Sequence, residues 1–123
     1  MRHLGLFVVT IAFAAGAVVT GLAAEMTLTG ELVDHACYTK RGPEEGAGSE
    51  HAACAKDCAM KGMTVALVTS AGEVYMLAGG VTTDNNEALV PHMSHTVEVT
   101  GDVTEAGGVK TITTGAIKHI SAN

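Results

Sequence analysis

The chain has 123 residues and a formal net charge of −6 at pH 7. That length suits one domain, and an acidic balance excludes the nucleic-acid binders, which need a basic surface and, for single strands, aromatic stacking platforms. Both phenylalanines, Phe7 and Phe13, fall in the first 24 residues, Trp is absent, and the only tyrosines are Tyr38 and Tyr75. Aromatic-lined pockets for sugars or drug-like ligands are excluded with them.

Residues 1–24 open with Met1, Arg2 and His3, continue with an uncharged apolar run over 4–19 broken only by Thr10, and end in small residues at 20–24. This is the pattern of a secretory signal peptide cut near Ala23 or Ala24. The run is shorter than the roughly 20 residues of a spanning helix, and no basic stop-transfer cluster follows it. The expected mature chain, residues 25–123, loses Arg2, so its charge moves from −6 to −7. It is expected to be periplasmic or secreted, with no stable membrane insertion after cleavage.

Residues 26–34 alternate in hydropathy and predict a first strand. Residues 42–50, rich in Gly and Glu, predict a loop. Residues 49–61 predict a short helix, with Ser49 as N-cap and Lys61-Gly62 as its stop. Two strands follow at 64–69 and 73–77, joined by a turn at 70–72. Residues 84–90 predict another short helix, capped by Asp84 or Asn85 and stopped before Pro91. Residues 95–104 predict a fourth strand bent at Gly101, and residues 109–120 a fifth interrupted at Gly115. Five strands with a short helix between the third and fourth match the order of an OB-like Greek-key barrel, here with a Cys-bearing helical insertion between strands 1 and 2. A β-sandwich of another topology is the competing arrangement.

The chemistry-bearing residues concentrate in that insertion. His51, Cys54 and Cys58 are spaced by three and four residues and so share one helical face. His35 and Cys37 are two apart and share a face if the first strand continues through them. Thiolates and imidazoles are the donors that soft and borderline metals prefer, copper first and zinc second. Two other readings stand beside the metal: a disulfide from Cys37 to Cys54 or Cys58 in an oxidising compartment, leaving one spare thiol, and inert buried cysteines. A second group, His92, Met93 and His95, lies at the start of the fourth strand. In an OB barrel this point adjoins the end of the first strand, which would bring imidazole and thioether donors toward His35 and Cys37. Met60 and Met63 read as core fillers and His119 as a surface residue. The acidic residues of the loop lack calcium-loop spacing. No hydrolase, zincin, phosphate-loop, C-x-x-C or haem-attachment motif is present, and no catalytic function is expected.

In strand order, and in the ligand types His35, His92 and Met93, the chain resembles small exported bacterial OB-fold proteins such as the periplasmic copper and silver chaperones of efflux systems. Those proteins bind their ion through His and Met side chains beside a tryptophan. This chain has no Trp, and the Cys-bearing insertion has no counterpart in them. The expected function is an exported metal-binding protein that carries or buffers copper or zinc, or is stabilised by it, exchanging the ion with an envelope partner protein. The alternative is a disulfide-stapled module that binds such a partner without a metal.

Overall fold

The computed structural model describes residues 23–123. The expected leader at residues 1–24 falls almost wholly outside them. Among the described residues, no helix is long and apolar enough to cross a membrane.

The elements run β1 (Ala24–Asp34), α1 (His35–Glu45), a 3-10 turn (Ser49–His51) leading into α2 (Ala52–Met60), β2 (Val65–Thr69) and β3 (Val74–Ala78). A 3-10 turn (Gly80–Thr82), the single turn α3 (Thr83–Asn86) and a further 3-10 turn (Val90–His92) link these to β4 (His95–Ala106), β5 (Val109–Thr113) and β6 (Ile117–Ala122). Five strands close into a barrel. β1 pairs with β2 and with β4, β2 with β3 and β4 with β5, all antiparallel, while β3 runs parallel to β5. This is the expected mainly-β barrel with its helical insertion between β1 and β2. The sixth strand lies outside the ring on β4.

β1 makes closure possible because it serves two partners. Its residues Ala24 to Glu31 pair with β4 and Gly30 to Asp34 with β2, so at Gly30 the strand faces Thr69 on one side and Val97 on the other. A strand that passes between neighbours at a barrel corner must bend, and glycine permits the close approach. A Cβ at Gly30 would run into the backbone carbonyl of Val68. Gly101 does the same for β4, where a Cβ would collide with the carbonyl of Thr113.

Leu32, Leu67, Tyr75, Leu77, Val97, Val99 and Ile112 fill the barrel. Ala55 and Ala59 of α2, with Val81, Leu89 and Met93 of the segment before β4, join the same cluster. Small alanines let the helix axis approach the strands, so α2 is held by its apolar face while its neighbouring face stays accessible.

Four local expectations are corrected. The chain does not continue as a strand through His35 and Cys37: Asp34 is an N-cap in extended conformation whose carboxylate accepts the Cys37 N–H at 2.7 Å, and a helix begins there. Residues 42–45, expected as loop, continue α1 beyond a break at Gly42 (φ 81°), with Pro43 starting the next turn. Residues 84–86 form no ordinary helix: Asp84, Asn85 and Asn86 are all left-handed, with φ of 52°, 55° and 60°, a conformation Asp and Asn tolerate best among non-glycine residues. The expected last strand is two, because the chain turns at 114–116, where Thr114 Oγ1 lies 2.8 Å from the carbonyl oxygen of Thr100 and 2.9 Å from that of Ala116.

Gly30→Val should therefore destabilise the barrel by about 1–3 kcal/mol, the usual scale of overpacking, read as a lower urea midpoint. An unchanged midpoint would mean that the β1 corner can be formed without glycine.

Candidate metal centres

The insertion folds back so that α1 and α2 bring their thiols together. Cys37 sits in the first turn of α1. Cys54 and Cys58, four residues apart on α2, project from one side of that helix. The three Sγ atoms lie within 4.8 Å of one another. A tetrahedral ion with metal–sulfur bonds of about 2.3 Å needs its sulfurs about 3.8 Å apart, so small side-chain rotations suffice to close the trio on an ion. Cys54 is exposed, and Cys37 and Cys58 are half-buried. All three are free thiols, so neither disulfide considered for Cys37 is the state of this structure.

Several contacts fix the trio. At the β1–α1 junction, Asp34 caps α1 and the His35 N–H donates to the carbonyl of Thr64 at 3.0 Å. At the far end of α2, the Asn86 side-chain amide donates to the carbonyls of Ala59 (2.9 Å) and Met63 (3.0 Å). The Ala59 carbonyl, in the last turn of α2, also accepts the Gly62 N–H at 2.9 Å, and Met63 follows the helix end; Asn86 lies at the end of the left-handed run Asp84–Asn86.

Asp34 also governs the charge of the site. It is 1 % exposed, and its Oδ2 has no nitrogen or oxygen partner. Its hydrogen bond with the Cys37 thiol, followed by burial and by its negative charge, pushes the Cys37 pKa up to about 12. Burial pushes the Cys58 thiol up as well, with the Asp34 charge and Cys54 adding to it. Both shifts favour the thiol over the thiolate at these two positions.

A second group gathers at the start of β4. Nitrogen atoms of His92, His95 and His119 lie within 4.8 Å of one another. Their ring centroids are 6.3 Å apart for His92 and His95, 5.3 Å for His92 and His119, and 5.1 Å for His95 and His119. His95 Nδ1 is buried without a hydrogen-bond partner. Burial pushes the His92 pKa below the usual imidazole range, and the other two histidines push it the same way. His119 was expected on the surface. It is exposed, yet it completes this group because the register pairs it with Val97, and residues opposite each other in an antiparallel ladder share a face. His95 lies two residues from Val97 on β4 and so on the same side. The bulge comes after this pair, where Thr96 meets Ser121 and Ile120 is the extra residue on β6.

The remaining expected ligands are placed as follows. The start of β4 does adjoin the end of β1, since the Ser94 N–H donates to the carbonyl of Leu32 at 2.8 Å. His92 and His95 nevertheless group with His119, and among the described residues no histidine belongs to the thiol trio. His35 is half-buried, with Nε2 3.3 Å from Thr39 Oγ1. His51 is buried in the 3-10 turn before α2 with Nε2 unpartnered. Met93 is fully buried in the core, where it fills space. Met60 and Met63, expected in the core, are 51 % and 40 % exposed.

Both groups are thus positioned to bind a metal ion, one through sulfur and one through nitrogen. Comparison of the chain with protein-family models, with curated proteins and with solved structures gave no match.

The proton on Cys37 is testable. In the reduced, metal-free protein at pH 8, iodoacetamide should modify exposed Cys54 first and Cys37 last, and Cys37 modification should keep accelerating as the pH rises toward 12. Asp34→Asn retains an N-cap acceptor but removes the charge. It should speed Cys37 modification about tenfold or more, since thiolate changes tenfold for each pH unit below the pKa. An unchanged rate would show that the carboxylate does not hold that proton.

Proposed function

We propose that the protein is an exported metal-binding protein whose Cys37–Cys54–Cys58 trio holds a thiophilic ion, copper(I) first and zinc second, for carriage, buffering or structural stabilisation, without turnover. The observation that carries this reading is the convergence of three free thiols from two helices within 4.8 Å at a half-exposed place. A buried structural cysteine is inert and needs no second thiol beside it. Three thiols also suit the soft-donor preference of copper(I), which accepts low coordination numbers, whereas zinc would require a fourth ligand from water or a neighbouring side chain.

Metal binding at the trio must displace the proton that Asp34 holds on Cys37, so uptake should strengthen as the pH rises. Partial exposure of the trio supports exchange with a partner: a fully enclosed site would release its ion only by unfolding, while Cys54 lies open to an incoming ligand. The apolar run at residues 4–19 supports export to the periplasm or beyond. The second reading is a disulfide-stapled module that binds an envelope partner, favoured only by the closeness of the same three sulfurs, which oxidation could join in pairs.

Native mass spectrometry of the mature protein, purified anaerobically without chelator, separates the two readings. One bound copper or zinc, lost on denaturation with recovery of three thiols, is the expected result. A metal-free mass two hydrogens low would assign the stapled module instead. Cys54→Ser with Cys58→Ser should weaken copper(I) binding, measured against a chromophoric chelator, by more than the roughly 100-fold that loss of outer-sphere partners causes.

A further inference from the structure

We infer that His92, His95 and His119 form a second metal site, separate from the thiol trio, that takes a divalent first-row ion of the zinc(II) or copper(II) class and leaves one coordination position open. This goes beyond the thiol reading and stands without it. Its three donors are all imidazoles, come from three different elements, and share no residue with α1 or α2.

The geometry suits such an ion. Bonds of about 2.0–2.1 Å in a tetrahedral arrangement place ligand nitrogens about 3.4 Å apart. The three histidines already bring nitrogens within 4.8 Å of one another, a gap that ring rotation can close. The rings are inclined by 67°, 36° and 64° rather than stacked face to face, so their edges, which carry the nitrogens, can turn toward a common point. His95 Nδ1 is the second, independent observation. It is buried with no hydrogen-bond partner, and a polar atom in that state is unusual unless something absent from the protein chain satisfies it. A metal ion does so, because the neutral nitrogen has a lone pair to donate.

The backbone around the group is built to hold it. The pairing of His119 with Val97 puts it on the face of β4 that carries His95. Ser94, in the left-handed conformation at φ 64°, turns the chain between His92 and His95. Asn123 ties the end of β6 across to β4: its side-chain amide donates to the carbonyl of Ser94 at 2.9 Å, and its Oδ1 accepts from Thr96 Oγ1 at 2.9 Å. His92 and His95 are half-buried, whereas His119 is exposed. An ion held there would have protein on one side and solvent on the other, so its fourth position falls to water or to an external ligand. Neutral nitrogen donors without thiolate suit borderline divalent ions rather than copper(I).

Cobalt(II) distinguishes the sites, because sulfur ligands give intense near-ultraviolet charge-transfer bands and imidazoles do not. The reduced mature protein, titrated with cobalt(II) alone, should take up two equivalents, only one of which produces those bands. His119→Ala, on the exposed strand, should weaken the spectroscopically weak equivalent about tenfold or more and leave the bands intact. His92→Gln serves as the second variant, and far-ultraviolet circular dichroism checks that both fold. The weak equivalent should survive in Cys54→Ser with Cys58→Ser. Absence of the spectroscopically weak equivalent in the wild type, or its persistence in both histidine variants, overturns the site. Loss of the charge-transfer bands in His119→Ala would also overturn it, since the histidines would then belong to one mixed centre. Absence of the bands from the wild type, with the weak equivalent still present and sensitive to His119→Ala, would instead count against the thiol reading alone.

Discussion

One buried carboxylate carries the structure from barrel to site. Asp34 is the last residue of β1, still paired with Val65 of β2, and it is also the N-cap of α1. Its side chain ends the strand by offering the Cys37 N–H a partner, which an extended continuation would have left to a neighbouring strand. The same side chain then keeps the Cys37 thiol protonated. A strand terminus, a helix start and the protonation of a candidate ligand thus depend on one group that water barely reaches. Replacing it by an apolar residue would leave the Cys37 N–H without its acceptor.

The barrel was largely legible in the sequence. Period-two alternation in residues 26–34, the turn at 70–72 and the glycines at 101 and 115 are strong local signals, and strand order follows from them. The helical stripe of Cys54 and Cys58 was legible for the same reason, since spacing by four residues is set by helix geometry alone. What escaped was context-dependent. Asp34 alternates like a strand residue, so its capping role shows only once the chain is seen to turn. The Asp84–Asn86 run has the composition of a helix start, and Asn86 adopts the left-handed form in exchange for two hydrogen bonds with residues 59 and 63. His119 looked like an ordinary surface residue because its place in the group rests on pairing with Val97 across β4 and β6, and a single sequence does not show which strand the last one joins. Met93 was expected near a ligand set because it lies beside His92. The left-handed turn at Ser94 separates it from His95, so the two do not share a face as residues two apart on a strand would.

Sulfur and nitrogen donors are thus sorted onto two structures of different character. The thiols stand on helices that pack against the barrel through Ala55 and Ala59 and are fastened at their ends by Asp34 and Asn86. The imidazoles stand on strand β6, strand β4 and the turn before it, where register decides the facing. Soft and borderline donors are kept in separate groups rather than mixed in one, so each ion would meet a uniform ligand set.

The two-sided pairing of β1 also sets an order of events. Ala24 meets Val103 across the barrel seam, so closure joins segments nearly a whole domain apart in sequence, and contacts of that range are the slow ones to form. Cys37, Cys54 and Cys58 lie within a single short stretch of chain, and α1 and α2 need only local loops to meet. The thiols can therefore find one another while the seam is still open. An ion captured at that moment would shorten the search of the chain on the way to the barrel, as well as occupying the finished molecule.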